Sequence, residues 1–230
     1  PAPPAEPTAA PTEESTPEPV TAPKPANENK NSFPLLFFRQ GEFVQVNIIV
    51  SPPVTLERSL FVSIKIDGMV RVAAATPHVK VADCPYNKNE MAKMIREAAA
   101  NGASVIAFPE LAMTGYTCGD LFKDRKLMES AKTCLFDLIE ETEDLDILCA
   151  VGMPIPSGGA LYNCAAVFSR GVLLGLPAKQ HIPNYSEFYE LRHFSPAPES
   201  GMLRYAGDWY GCRDVVFELA PDVTVGVEIC

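Results

Sequence analysis

Residues 89–110 read NEMAKMIREAAANGASVIAFPE, and the fold class follows from this stretch. Met91, Met94, Ile95 and Ala98 recur at three- and four-residue spacing, so Asn89 to Asn101 is expected as a helix with one apolar face. Gly102 is a natural stop, because glycine adopts the left-handed conformation that ends a helix without steric cost. Ser104 to Phe108 follows at once and reads as a short buried strand. Pro109 then removes the donor that would continue the ladder, and Glu110 stands just past the strand end.

The same alternation extends outward. Val70 to Ala75 is expected as a buried strand upstream, opening a new element at Met69, and Leu127 to Thr142 as a longer helix with Met128, Ala131, Leu135, Leu138 and Ile139 on its inner face. Strands are expected at Ile147 to Val151, Leu161 to Ser169, Val172 to Leu176, Val215 to Leu219 and Val223 to Ile229. The turns fall at Ser157-Gly158-Gly159, Arg170-Gly171 and Pro221-Asp222. Helices alternating with mostly buried strands indicate an α/β layered domain over residues 69–230, with no internal repeat. Residues 33–68 contain two stretches of period-two alternation, Val44 to Ile48 and Leu60 to Ile66, that nothing in the sequence attaches to the rest. Pro1 to about Ser32 is rich in Pro, Ala, Glu and Thr, has almost no apolar residues to offset ordering entropy, and is expected to be a disordered tail.

Acidic residues outnumber basic ones by 29 to 19, a balance that repels phosphate backbones and anionic lipid, so neither nucleic acid nor a membrane surface is an expected partner. No apolar run approaches the roughly 20 residues of a membrane span. The seven cysteines include no C-x-x-C pair, and several lie in apolar runs where a thiol acts as a small hydrophobe. A reducing, cytoplasmic compartment without a disulfide framework is the expectation, and no metal site is foreseen.

Three segments carry chemistry. Val105-Ile106-Ala107-Phe108-Pro109-Glu110 puts a carboxylate beyond a buried strand, where α/β folds collect functional groups, although a single acid there is more often solvated. Lys179 follows another strand in a stretch bounded by Pro177 and Pro183, where a lone lysine usually snorkels. His181 beside it is read as a structural, hydrogen-bonded residue. Cys230 closes the apolar strand Val223-Thr224-Val225-Gly226-Val227-Glu228-Ile229, a setting in which an inert thiol is common.

Taken together, in this order, the three resemble the nitrilase superfamily of carbon–nitrogen hydrolases, whose members carry F-P-E, K-x-x-x-P and G-V-x-I-C. Thr114-Gly115-Tyr116-Thr117-Cys118-Gly119-Asp120-Leu121-Phe122, and Pro183 through Phe194, are further similar to the amidase domains of glutamine-dependent NAD synthetases. The resemblance covers Met69 to Cys230, roughly the first half of such a domain. It implies the four-layer α-β-β-α sandwich of that superfamily, here incomplete, and a Glu110-Lys179-Cys230 triad acting on glutamine. By the same resemblance Tyr116 and Tyr185 line the substrate pocket, and Glu187 is the second acid that orients the lysine. No cofactor is implied for this domain; ATP and nicotinic acid adenine dinucleotide belong to a synthetase domain not visible in the sequence, in proteins that form homo-oligomers. The expected activity is the glutaminase step of NAD synthesis, poor in a chain of this extent. A free-standing amidase of the same superfamily and a non-catalytic fragment are the rivals.

Overall fold

The computed structural model describes residues 32–39, 42–51, 70–185, 188–220 and 223–230, with side chains from residue 70 onward. The expectations for the tail up to residue 31, for a strand at Leu60 to Ile66 and for the turn at Pro221-Asp222 lie outside the described residues. The five-stranded sheet holds β3 (Val72–Ala74), β4 (Val105–Ala107), β5 (Leu148–Ser157), β6 (Ala160–Ser169) and β7 (Val172–Gly175), side by side in that order. β3, β4 and β5 run parallel, joined by helical crossovers, and β5, β6 and β7 form an antiparallel meander. A four-stranded antiparallel sheet takes the order β1 (Ser32–Arg39), β2 (Glu42–Ser51), β11 (Val223–Ile229), β10 (Val216–Ala220). The stretch around Val44 to Ile48 is therefore attached after all: β2 pairs with β11, with Ile48 opposite Val227. β8 (Met202–Tyr205) and β9 (Asp208–Gly211) make a separate hairpin that the sequence reading passed over.

Both helices begin earlier than their apolar periodicity. α1 spans Cys84–Ala100 because Asp83 caps it, accepting from the Tyr86 amide at 3.2 Å, with Pro85 preset in the first turn. α2 spans Arg125–Glu141, and Asp124 accepts from the Lys126 amide at 2.7 Å. Both helices cover one face of the five-stranded sheet. Met91 and Ile95 of α1 join Ala131, Leu135 and Leu138 of α2 in one buried cluster.

Strand periodicity divides the sheet's side chains between two cores. Ile106 of β4, Cys149, Val151 and Met153 of β5, and Ala166 and Phe168 of β6 face the helices. Their alternates Val105, Ala107, Leu148, Ala150 and Val167 pack instead on Phe217, Leu219 and Val225 of the four-stranded sheet. The described residues thus form three layers of the expected sandwich: helices, a five-stranded sheet and a four-stranded sheet. Burying an aliphatic side chain such as Leu135 contributes about 1.5–3 kcal/mol, and two sandwiched faces supply dozens of such side chains. All seven cysteines are free, six of them buried in these cores.

Candidate active site

Glu110 is held by an unusually close turn. The ladder between β4 and β5 continues one residue past β4, through the Phe108 amide to the Ala150 carbonyl at 2.9 Å, and Pro109 then ends it. Leu111 takes a left-handed φ of 53°, and the Met113 amide returns to the Gly152 carbonyl at 3.0 Å. The turn can lie this close to β5 because residue 152 has no side chain. A Cβ there would stand 2.3 Å from the Pro109 carbonyl oxygen, 2.5 Å from the Leu111 nitrogen and 2.8 Å from the Glu110 carbonyl carbon. Buried Asn87 of α1 fixes the far side of the turn by donating to the Met113 carbonyl at 3.0 Å.

Lys179 is delivered by an extension of the meander. After β7 the chain runs on beside β6: the Ala165 amide donates to the Pro177 carbonyl, and the Lys179 amide donates to the Asn163 carbonyl, both at 2.8 Å. Asn163 and Lys179 are thereby neighbours across two extended segments. The lysine side chain, 2 % exposed, points inward rather than snorkelling.

Two carboxylates meet it. Lys179 Nζ donates to Glu110 Oε1 at 2.9 Å and to Glu190 Oε1 and Oε2 at 3.0 and 2.9 Å. Glu190 opens a 3-10 turn, Glu190–Arg192, whose backbone folds back so that its carbonyl accepts from the His193 and Phe194 amides. Tyr116 hydroxyl donates to Glu190 Oε1 at 2.7 Å, and the Asn163 Nδ2 donates to Glu110 Oε1. A second 3-10 turn, Gly119–Lys123, is clasped to the first by Arg192 and Asp120 at 2.8 Å and by the edge-on Phe122 and Phe194 rings, 5.0 Å apart.

The electrostatics follow from enclosure. One ammonium faces two carboxylates, so with all three ionised the cluster carries a net negative charge away from water. Burial pushes the Glu110 carboxyl above the ordinary carboxylate range, with Glu190 adding to the rise, while Lys179 and the Asn163 hydrogen bond pull against them. Burial pulls the Lys179 ammonium down, but Glu110 and Glu190 outweigh it and hold its pKa above that of a free lysine. The arrangement can therefore keep a fixed cation beside a carboxyl group that readily takes up a proton.

The remaining sequence-derived residues fall in different places. Tyr116 reaches the cluster through Glu190. Tyr185 is 67 % exposed and edge-on to Phe188 at 5.5 Å. His181 is exposed and makes no hydrogen bond to another described residue. Glu187 lies outside the described residues; among these, Glu190 pairs with Lys179 beside Glu110. Cys230 follows β11, is exposed, and makes no hydrogen bond to Glu110 or Lys179. A cavity of about 310 Å³ separates β11 from the Lys179 segment; Ala178, Gln180, Cys212, Asp214, Gly226 and Glu228 line it. The side chains of Glu110, Lys179 and Glu190 do not line this cavity. Among the described residues no group of His, Cys, Asp or Glu is arranged to hold a metal ion, and no helix is long and apolar enough to cross a membrane.

The family model described as carbon-nitrogen hydrolase matches residues 71–230. Over 167 residues the chain is 36 % identical to the glutamine-dependent NAD(+) synthetase of Mycobacterium tuberculosis, covering 71 % of this chain and 25 % of that protein. The enzyme of the same name from Aquifex aeolicus is 32 % identical over 155 residues, covering 67 % of this chain and 26 % of the relative. The chain thus spans about a quarter of the length of the curated relatives it matches. A crystal structure of a glutamine-dependent NAD(+) synthetase from Cytophaga hutchinsonii superposes with a TM-score of 0.61 at 28 % identity, over 66 % of this chain and 26 % of that one. An amidase from Nesterenkonia sp. shares the fold at a TM-score of 0.50 and 19 % identity, over 64 % of this chain and 56 % of that one.

Proposed function

The chain belongs to the carbon–nitrogen hydrolase family, and on that premise we propose that it hydrolyses the side-chain amide of glutamine, with Cys230 as nucleophile and the Glu110-Lys179-Glu190 cluster as its acid–base and electrostatic machinery. The observation that supports this most is the sealed lysine between two carboxylates, in a chain that is similar to enzymes named for their dependence on glutamine.

Each group has a task set by its environment. A free thiol titrates near 8.5 and needs a base. Glu110, enclosed and short of compensating charge, takes the Cys230 proton as Sγ bonds to the amide carbon. The carbonyl π electrons move to oxygen, and Lys179 supplies fixed positive charge where that oxyanion develops. As the C–N bond breaks, Glu110 passes its proton to the departing nitrogen, which leaves as ammonia, and a glutamyl thioester remains on Cys230. Water then attacks the thioester while Glu110 accepts one of its protons. The C–S bond breaks, glutamate leaves, and the proton returns to the sulfur. Glu190 touches Lys179 with both oxygens and keeps it charged and in place. Tyr116 and Tyr185 bound the glutamine side, Tyr116 by orienting Glu190. In the whole protein we assign the ammonia to the ATP-dependent amidation of nicotinic acid adenine dinucleotide to NAD, in a reducing, cytoplasmic setting suited to a free nucleophilic thiol.

The test is ammonia release from L-glutamine by the protein at its natural length, compared with Cys230→Ala and Glu110→Gln. Loss of acid–base assistance in Glu110→Gln is worth on the order of 10²–10⁴ in rate, and a glutamyl adduct on Cys230 should be trapped by mass spectrometry. Full activity of Cys230→Ala, or turnover of simple aliphatic amides in preference to glutamine, overturns the reading.

A further inference from the structure

We propose that Asn163 is a positioning residue that commits Glu110 to proton transfer through a single oxygen, Oε2; this rests on the reading of Glu110 as the acid–base group. No sequence motif drew attention to Asn163. It sits on β6 in the run Leu161-Tyr162-Asn163-Cys164-Ala165-Ala166-Val167-Phe168, where it is the lone side-chain amide. It is fully buried.

The argument is a count of hydrogen bonds at Glu110. Oε1 receives two donors, Asn163 Nδ2 and Lys179 Nζ. Oε2 accepts none among the described residues, and it is not among the sealed atoms that lack a partner. A carboxylate oxygen that already accepts two charge-directed donors is a poor site for a further proton, so the arriving proton goes to Oε2. Lys179 alone would not fix this choice, because its ammonium also serves both oxygens of Glu190. The planar amide, held by β6, also sets the plane of the carboxyl group.

The state of the amide itself supports the assignment. With Nδ2 on Glu110, Asn163 Oδ1 is sealed from solvent without a partner, a position buried acceptors rarely occupy. Turning the amide over would place Oδ1 against Glu110 Oε1, acceptor against acceptor whenever the carboxyl group is ionised. The side chain keeps an unsatisfied oxygen in order to hold its donor on the carboxylate.

Among the described residues the charged groups that face Glu110 are Lys179, from the segment after β7, and Glu190, from the 3-10 turn, and the Tyr116 hydroxyl bonds Glu190. Asn163→Leu keeps the volume and removes the donor while leaving these in place. A hydrogen bond to a charged group is worth enough to move a pKa by about 1–2 units. The acid limb of kcat/KM for glutamine should therefore rise by about that much, with kcat falling more than KM rises. Asn163→Asp, which sets a second carboxylate against Oε1, should move the limb further in the same direction. A titration of the Glu110 carboxyl by ¹³C NMR, assigned with Glu110→Gln, reads the same shift without any turnover, and thermal melting confirms that each variant is folded.

A matched rise in the NMR midpoint and the kinetic limb supports the inference. An unmoved NMR midpoint in a folded Asn163→Leu protein overturns it, as does a loss of rate that is equal at every pH. A moved midpoint in a protein that releases no ammonia from glutamine leaves Asn163 as the partner of Glu110 and refutes the glutaminase reading instead.

Discussion

Replacing Gly152 with alanine tests how Glu110 is placed without touching any polar group of the cluster. The added Cβ would meet three backbone atoms of the Pro109-Glu110-Leu111 turn at 2.3, 2.5 and 2.8 Å. Backbone cannot rotate away as a side chain can, so either β5 or the turn must retreat by roughly 0.7 Å or more before the contact resembles any real one. Overpacking of this kind costs about 1–3 kcal/mol. At about 2 kcal/mol the melting temperature of a domain of this size falls by roughly 4–8 °C. The larger effect is on catalysis, because the retreating turn carries Glu110 away from Lys179 and Asn163. A misplacement of about 1 Å typically costs on the order of 10² in rate. The assay is ammonia release from glutamine at a temperature well below both melting transitions, alongside the melts. A variant with wild-type melting and wild-type turnover would refute the claim that this glycine positions Glu110. A variant that melts low but turns over normally would show that the strain is absorbed in β5.

Lys179→Met should destabilise the fold by about 3–5 kcal/mol in urea unfolding, because it leaves two largely buried carboxylates without their cation; a loss under about 1 kcal/mol would mean that water enters the cluster. Glu110 binds its proton more tightly folded than unfolded, since burial raises its pKa. Its contribution to stability is thus fullest below the ordinary carboxylate value near 4.3 and declines as pH rises through the folded value. Wild type should accordingly lose stability relative to Glu110→Gln over that interval, and a constant difference between their pH–stability curves would contradict the raised pKa. Arg192→Ala should change stability by less than about 1 kcal/mol, since both partners of its ion pair with Asp120 are exposed; a larger loss in the melt would mark the clasp between the 3-10 turns as structural.

The layered fold was legible where periodicity is long and local. The helix faces around Met91 and Ile95 and around Leu135 and Leu138 are buried as their spacing demands. The helix starts were also written in the sequence, as Asp83-Cys84-Pro85 and Asp124, but as capping signals and not as apolar repeats, so a reading by period places the ends late. The β8–β9 hairpin was missed for a different reason. Its two-residue turn is Ala206-Gly207, with φ of 53° and 105°, and alanine at a left-handed first position does not announce a hairpin as Asn-Gly or Asp-Gly does. The pairing of β2 with β11 joins Ser51 to Thr224 and Val46 to Ile229, and no local pattern encodes such a partnership.

The site divides along the same line. Glu110 and Lys179 each follow a strand whose end the sequence marks with proline, so their neighbourhood was readable and their contact is the result. The resemblance names Glu187 as the acid that orients the lysine; that residue lies outside the described ones, and among the described residues the carboxylate that meets Lys179 beside Glu110 is Glu190. Glu190 is brought there by the 3-10 turn and held by the Tyr116 hydroxyl, which arrives from far earlier in the chain. Asn163 could have been found by a simpler rule: an amide in the middle of a buried strand must be bonded to something. Its carboxylate partner explains why a cluster with two acids and one base is tolerated in the interior. Lys179 can neutralise only one of the acids, and it is held charged by both. The spare negative charge falls where an amide donor and an unblocked oxygen are waiting, and on the proposed function Glu110, not the lysine, is the group that exchanges protons.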